Sequence, residues 1–307
     1  MKRILVTGGC GFIGTNLVKR LLEDGAFVIA MDNLYCSNPK NESLFLSNPN
    51  YQFINHDVRE PFGDIAVDEI YHLAAPASPK VYMLDTIFTL DTIVKGTVNA
   101  LECARKNGAR IIISSTSEIY GESQINPQNE DYNGNVRPMC LRSSYDEGKR
   151  CAETYAYCYY RQYGVNVGIA RLFNTYGPHM RLQDGRVITS FVESYLKGKP
   201  LYINGNGEQT RSFCYISDLI NGLVAYMESD VKGEAINIGN NTEITINTLA
   251  STFMEIVGKK LDIKYLASVE NEPQIRRPDL TRARELLDYN YTVNLKEGLE
   301  KTISFFM

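Results

Sequence analysis

Six short apolar runs recur at residues 3–7, 27–32, 51–55, 69–74, 109–114 and 166–172, with helical stretches between most of them, for example 13–24, 85–107 and 145–163. Continuous apolar strands alternating with helices predict a parallel sheet covered on both faces, its crossovers right-handed. The expected fold is α/β, a doubly wound parallel sheet. After residue 175 the rhythm changes to a Gly-containing turn, YGPHMRLQDGR, then a helical run to 198, a short strand at 201–203, a further strand at 234–239 and a mixed tail over 242–307. We read 1–175 as the sheet domain, rejoined by 215–240, and 176–214 with 241–307 as a smaller interleaved C-terminal lobe placed to close one side of a cleft.

Composition narrows the partners. With 44% apolar residues in 307, the chain buries a large core. A net charge of -4 with Lys and Arg scattered along the chain leaves no electrostatic footprint for nucleic acid. Seven Cys without metal-ligand spacing predict neither a disulfide framework nor a metal site. No segment approaches the roughly 20 apolar residues that span a bilayer, and MKRILVTGG reads as a core strand rather than a signal peptide, so no membrane partner and a cytoplasmic location are expected.

The first strand runs into GGCGFIG, with Gly8, Gly11 and Gly14 three apart and Phe12 and Ile13 between the last two, and a helix follows. That strand, turn and helix give a tight bend, room for a pyrophosphate and a helix amino terminus facing its charge, the Rossmann-like arrangement for a dinucleotide. The next strand ends at Asp32, a carboxylate that accepts ribose hydroxyls and repels a 2′-phosphate, and Asn33 follows rather than Arg, so NAD is expected over NADP. HDV at 56–58 (Asp57 and Val58) is assigned to the adenine, and LAA at 73–75 (Leu73 and Ala75) to the dinucleotide groove.

Tyr145 and Lys149 are four apart on a predicted helix and share a face. A Lys ammonium near the phenol, with the positive nicotinamide close by, is expected to lower its pKa enough for the phenolate to take a proton from a sugar hydroxyl. The strand ARIIISST ends at Thr116, where ligands bind in parallel sheets, so Thr116 is expected to orient that hydroxyl, with Ser117 and Glu118 reaching further along the ring.

Carried on HLAAPASP, STSEIYG, SSYDEGKR, ARLFNTYGP, DGRVITSF, TRSFCYISDL and RRPD, the chain resembles the extended short-chain dehydrogenase/reductase family, and within it the UDP-glucuronate decarboxylases. The resemblance implies Tyr145 as base, Lys149 as ribose holder, Thr116, Ser117 and Glu118 on the hexose, and Arg211 together with Glu118 in the step after oxidation. Asn174, Arg186, Arg211 and Arg276 match substrate positions; we add Tyr202, and note Arg277 beside them. Thr92 is placed with the cofactor. The family's Lys position holds Asp91 here, an assigned substrate contact whose charge opposes an acidic sugar, and His179 stands at an Arg position. The expected activity is NAD-dependent oxidation of a nucleotide sugar at C4 with decarboxylation of UDP-glucuronate to UDP-xylose. The alternatives are C4 dehydrogenation or epimerisation of an uncharged nucleotide sugar, and a non-catalytic NAD-binding scaffold. A homodimer is expected through the helices near 85–107 and 145–163.

Overall fold

The structure, a computed structural model, describes residues 1–267 and 276–307. In chain order it comprises β1 (Arg3–Thr7), α1 (Phe12–Glu23), β2 (Phe27–Asp32), β3 (Tyr51–Asn55), β4 (Glu69–His72), α2 (Pro79–Tyr82), α3 (Thr86–Asn107), β5 (Arg110–Thr116), α4 (Ser143–Tyr163) and β6 (Val167–Leu172). There follow β7 (Thr175–Tyr176), α5 (Val187–Leu196), β8 (Leu201–Asn204), β9 (Thr210–Ser212), β10 (Cys214–Tyr215), α6 (Ile216–Glu228), β11 (Ala235–Ile238), β12 (Glu243–Thr245), α7 (Ile246–Val257), β13 (Ile263–Leu266), α8 (Thr281–Leu287) and α9 (Leu295–Phe306).

Seven strands form one parallel sheet in the order β11-β6-β5-β4-β1-β2-β3. The alternation of side chains along a strand explains the layers. In β1, Ile4 and Val6 join a core with Leu17 and Val18 of α1 and Leu223 of α6, whereas Leu5 joins Ala100, Leu101 and Ala104 of α3 on the other face. Both faces are therefore apolar and covered, and each such buried side chain contributes roughly 1.5–3 kcal/mol.

The order of the sheet also makes the cleft. From β1 the chain builds outward through β2 to β3, then returns to the other side of β1 for β4. Helices diverge at that reversal, and a crevice opens beyond the carboxyl ends of the strands. Register aligns those ends, with Thr7 of β1 beside Met31 of β2 and His72 of β4.

α3 starts at Asp85, whose side chain accepts from the Phe88 N–H, and stops at Gly108 in the left-handed conformation. It packs closely on α4: a Cβ on Gly148 would lie 3.3 Å from Leu90 and Ile93 side-chain atoms. Beyond the sheet, parallel β8 and β13, antiparallel β9 and β12, and parallel β7 and β10 form three small ladders. Among the described residues, no helix is long and apolar enough to cross a membrane.

Candidate active site

A cleft of about 1030 Å³ runs along the carboxyl ends of the strands. At one end β1 turns through Gly8, with φ 70°, where a Cβ would lie 2.9 Å from the Ala74 nitrogen. A Cβ on Gly14 would lie 2.1 Å from the Gly8 carbonyl oxygen, so α1 packs onto the turn only with glycine there. α1 begins at Gly11 without a side-chain cap, and Gly8, Gly11, Phe12, Ile13 and Gly14 all line the cleft. An uncapped helix start behind a cradle that side chains would fill suits the pyrophosphate of a dinucleotide.

Asp32 ends β2 inside the same cleft, nearly buried. Its carboxylate accepts from the Cys10 N–H at 3.1 Å, the Leu34 N–H at 2.8 Å and the Ser37 hydroxyl at 2.9 Å. Burial pushes its pKa up, and these bonds oppose the shift. Asn33, Val58, Leu73, Ala75 and Thr92 line the same cleft. Asp57 lies between the lining residues His56 and Val58, and its carboxylate accepts from Arg59 at 2.8 Å and Asn33 at 3.1 Å. The Arg59 bond is the main reason its pKa falls to about 2.

The reacting end forms where β5 stops. Thr116 accepts from the Glu118 N–H at 3.2 Å, starting the one-turn helix Ser117–Tyr120. α4 runs alongside and brings Tyr145 into the cleft beside Thr116. Lys149, one turn later, donates to the Ser114 carbonyl at 2.6 Å. Burial lowers the Lys149 pKa to about 8, opposed by Glu153, while burial raises Tyr145 to about 12, opposed by Thr116. In the protein alone the Lys149 ammonium donates to Ser114, and burial of the phenol sets the direction of the Tyr145 shift.

Sequence reasoning missed Tyr82, which stacks on Tyr145 with ring centroids 4.9 Å apart and planes at 8°. It also missed Arg142, one turn before Tyr145. Arg142 and Arg276 both pair with Glu118, Arg276 through one contact of 2.6 Å. The signal for Arg142 was its spacing of three from Tyr145, which a predicted helix start obscured.

Ser117, Asn174, Arg186, Tyr202 and Arg211 line the same cleft. Arg186 donates to the Ala77 carbonyl at 2.9 Å and Arg211 to the Thr210 carbonyl at 2.7 Å. Arg276, rather than Arg211, is the distant arginine brought onto Glu118. Arg277 pairs with Glu243 at 3.7 Å and is not a lining residue. His179 lines the cleft with its ring 4.7 Å from Phe305. Asp91 sits on α3 between cleft-lining residues. Phe88 and Thr92 of α3 face the cleft, but Asp91 does not line it and pairs with Lys95 at 2.8 Å. The Lys95 ammonium partly offsets the Asp91 charge on this helix.

Residues 4–239 match the NAD dependent epimerase/dehydratase family. A UDP-glucuronic acid decarboxylase 1 of Xenopus tropicalis is 47% identical over 305 residues, covering 99% of this chain and 72% of that protein. Among solved structures, UDP-glucose 4-epimerase of Thermotoga maritima with UDP-glucose superposes with a TM-score of 0.91 at 30% identity, covering 99% of this chain and 98% of the other. A Bacillus cereus UDP-glucuronic acid 4-epimerase, in complex with NAD and a fluorinated UDP-glucuronic acid, gives a TM-score of 0.89 at 31% identity, covering 99% and 98%. With the glycine cradle, the strand-end Asp32 and the Thr116, Tyr145 and Lys149 constellation in one cleft, these matches establish that the chain belongs to the NAD-dependent epimerase/dehydratase family.

Proposed function

We propose that this enzyme oxidises UDP-glucuronate at C4 and decarboxylates it to UDP-xylose. The observation that carries this reading is Glu118 held between Arg142 and Arg276 in the cleft that Thr116 and Tyr145 also line. Acid–base groups for a hydroxyl and cations for a carboxylate thereby meet at one end of one cleft. Curated relatives from Xenopus tropicalis and Arabidopsis thaliana that match at least 97% of this chain carry the name UDP-glucuronic acid decarboxylase.

In this reading Gly8, Gly11 and Gly14 hold the pyrophosphate of NAD, and Asp32 and Lys149 its riboses. NAD, when bound, accepts hydride from C4 and later returns it. Tyr145 takes the hydroxyl proton and Thr116 fixes the oxygen. A carbonyl at C4 makes the sugar a β-keto acid: the bond from C5 to the carboxylate breaks, its electron pair moves toward the C4 carbonyl, and carbon dioxide leaves. Arg276 and Arg142 place the carboxylate, and Glu118 handles the proton that replaces it at C5. Arg186 and Arg211, with Asn174 and Tyr202, hold the nucleotide diphosphate, for which guanidinium groups give charge-assisted bonds.

The exposed Tyr155 and Tyr157 of α4, with exposed Leu90 of α3, support a homodimer through these two helices. Incubation with UDP-glucuronate and NAD tests the activity: carbon dioxide and UDP-xylose are expected. Formation of UDP-galacturonate without carbon dioxide would assign the cleft to C4 epimerisation instead.

A further inference from the structure

Asp146 follows Tyr145 directly but has no part in the chemistry described so far. Its side chain is 8% exposed, and one carboxyl oxygen is buried without a hydrogen-bond partner. The other is 3.8 Å from Arg142, the guanidinium that also holds Glu118. Asp146 is not among the residues lining the cleft, whereas Arg142, Glu118 and Arg276 are. It therefore stands behind the cluster that faces the sugar.

We propose that Asp146 is a positioning residue for acidic sugars: it keeps a proton while Glu118 takes both arginines, so that the cluster presents one surplus positive charge to the substrate carboxylate. Two guanidiniums against one carboxylate leave that surplus; ionisation of Asp146 cancels it. The groups that face Asp146 support a retained proton. Burial and then Glu118 push its pKa up to about 7, Arg142 and Arg276 pull it down, and Glu147 on its own helix pushes it up. The phenols of Tyr82 from α2 and Tyr145 from α4 are its other titratable neighbours. A substrate carboxylate adds one more negative charge nearby and favours the protonated form further, so binding of an acidic sugar takes up a proton by linkage.

This inference rests on the uronate reading above, and the test separates the two. Tyr145→Phe protein loaded with NAD keeps the substrate intact for calorimetry with UDP-glucuronate and UDP-xylose between about pH 6 and about pH 8.5, where neither ligand's carboxylate nor diphosphate titrates. UDP-glucuronate affinity is expected to fall with pH above neutrality, approaching about tenfold per unit, with about one proton taken up on binding. UDP-xylose affinity lacks this slope, and any change from Lys149, whose pKa of about 8 falls in the same range, is shared by both ligands. Adding Asp146→Asn removes the difference in slope and in proton uptake between the ligands. Equal slopes for the two ligands, or a difference that survives Asp146→Asn, would overturn the role of Asp146. The comparison of ligands on protein with Asp146 intact stands even where the Asn variant folds poorly. If the wild-type enzyme releases no carbon dioxide from UDP-glucuronate, the uronate reading and this inference fall together; carbon dioxide release with equal slopes removes Asp146 alone.

Discussion

Tyr145 and Lys149 lie one turn apart on α4, and burial moves their proton affinities in opposite directions, to about 12 and about 8, because it disfavours a phenolate and an ammonium alike. Removing the phenol hydroxyl leaves nothing at Thr116 to accept the sugar proton. Tyr145→Phe is expected to lower kcat about 10²- to 10⁴-fold, with NAD binding retained in a fluorescence titration. For Lys149 the folded pKa lies below the ordinary value of 10.5, so between about 8 and 10.5 the unfolded chain binds more protons and stability rises with pH. Lys149→Met is therefore expected to be the more stable protein near neutrality, by about 2 kcal/mol after allowing for the lost bond to Ser114. That advantage should shrink as pH approaches 10.5, and urea unfolding across the range measures it. Tyr145, Lys149 and Thr116 were legible in the sequence because helix spacing and a strand end place them locally. The grip on Glu118 was not, since it depends on residues 118, 142 and 276 meeting in three dimensions. The Asp91–Lys95 pair, by contrast, was within reach of the sequence, since i and i+4 meet on a helix.

At the scale of elements, the strands were readable because both faces of the sheet are buried, which writes continuous apolar runs rather than alternation. A strand can outrun its apolar residues where polar ones still pair. β5 runs on through Ser114 and Ser115 to Thr116, as the string ARIIISST anticipates, because β6 pairs with it to Leu172. The junction of β1 and α1 carries the tightest steric condition. Gly14→Ala would set a methyl carbon 2.1 Å from the Gly8 carbonyl oxygen, contact that backbone on both sides cannot relieve by rotating a side chain. We expect a loss of about 1–3 kcal/mol in stability and NAD affinity weakened more than about tenfold, since displacing the helix by a fraction of an ångström moves the phosphate cradle with it. Thermal unfolding with and without NAD separates the two effects.

For the whole molecule, the predicted dimer is testable directly: sedimentation at micromolar protein should give about twice the chain mass, and Tyr157→Glu on the exposed face of α4 should shift it toward monomer. The seventh strand has a different kind of consequence. β11 pairs with β6, yet residues 173–234 come between them, including β7 to β10 and two helices. During synthesis, β6 thus leaves the ribosome with its outer edge bare, and its residues Val167 and Ile169 are among the most buried of the finished protein. An unpaired apolar edge is a template for a neighbouring chain. A fragment ending at residue 175, though it would hold six of the seven strands and the glycine cradle, is expected to self-associate rather than persist as a small dinucleotide-binding module. Light scattering of that fragment beside one ending at residue 240 would show it: only the longer chain brings the strand that seals the edge.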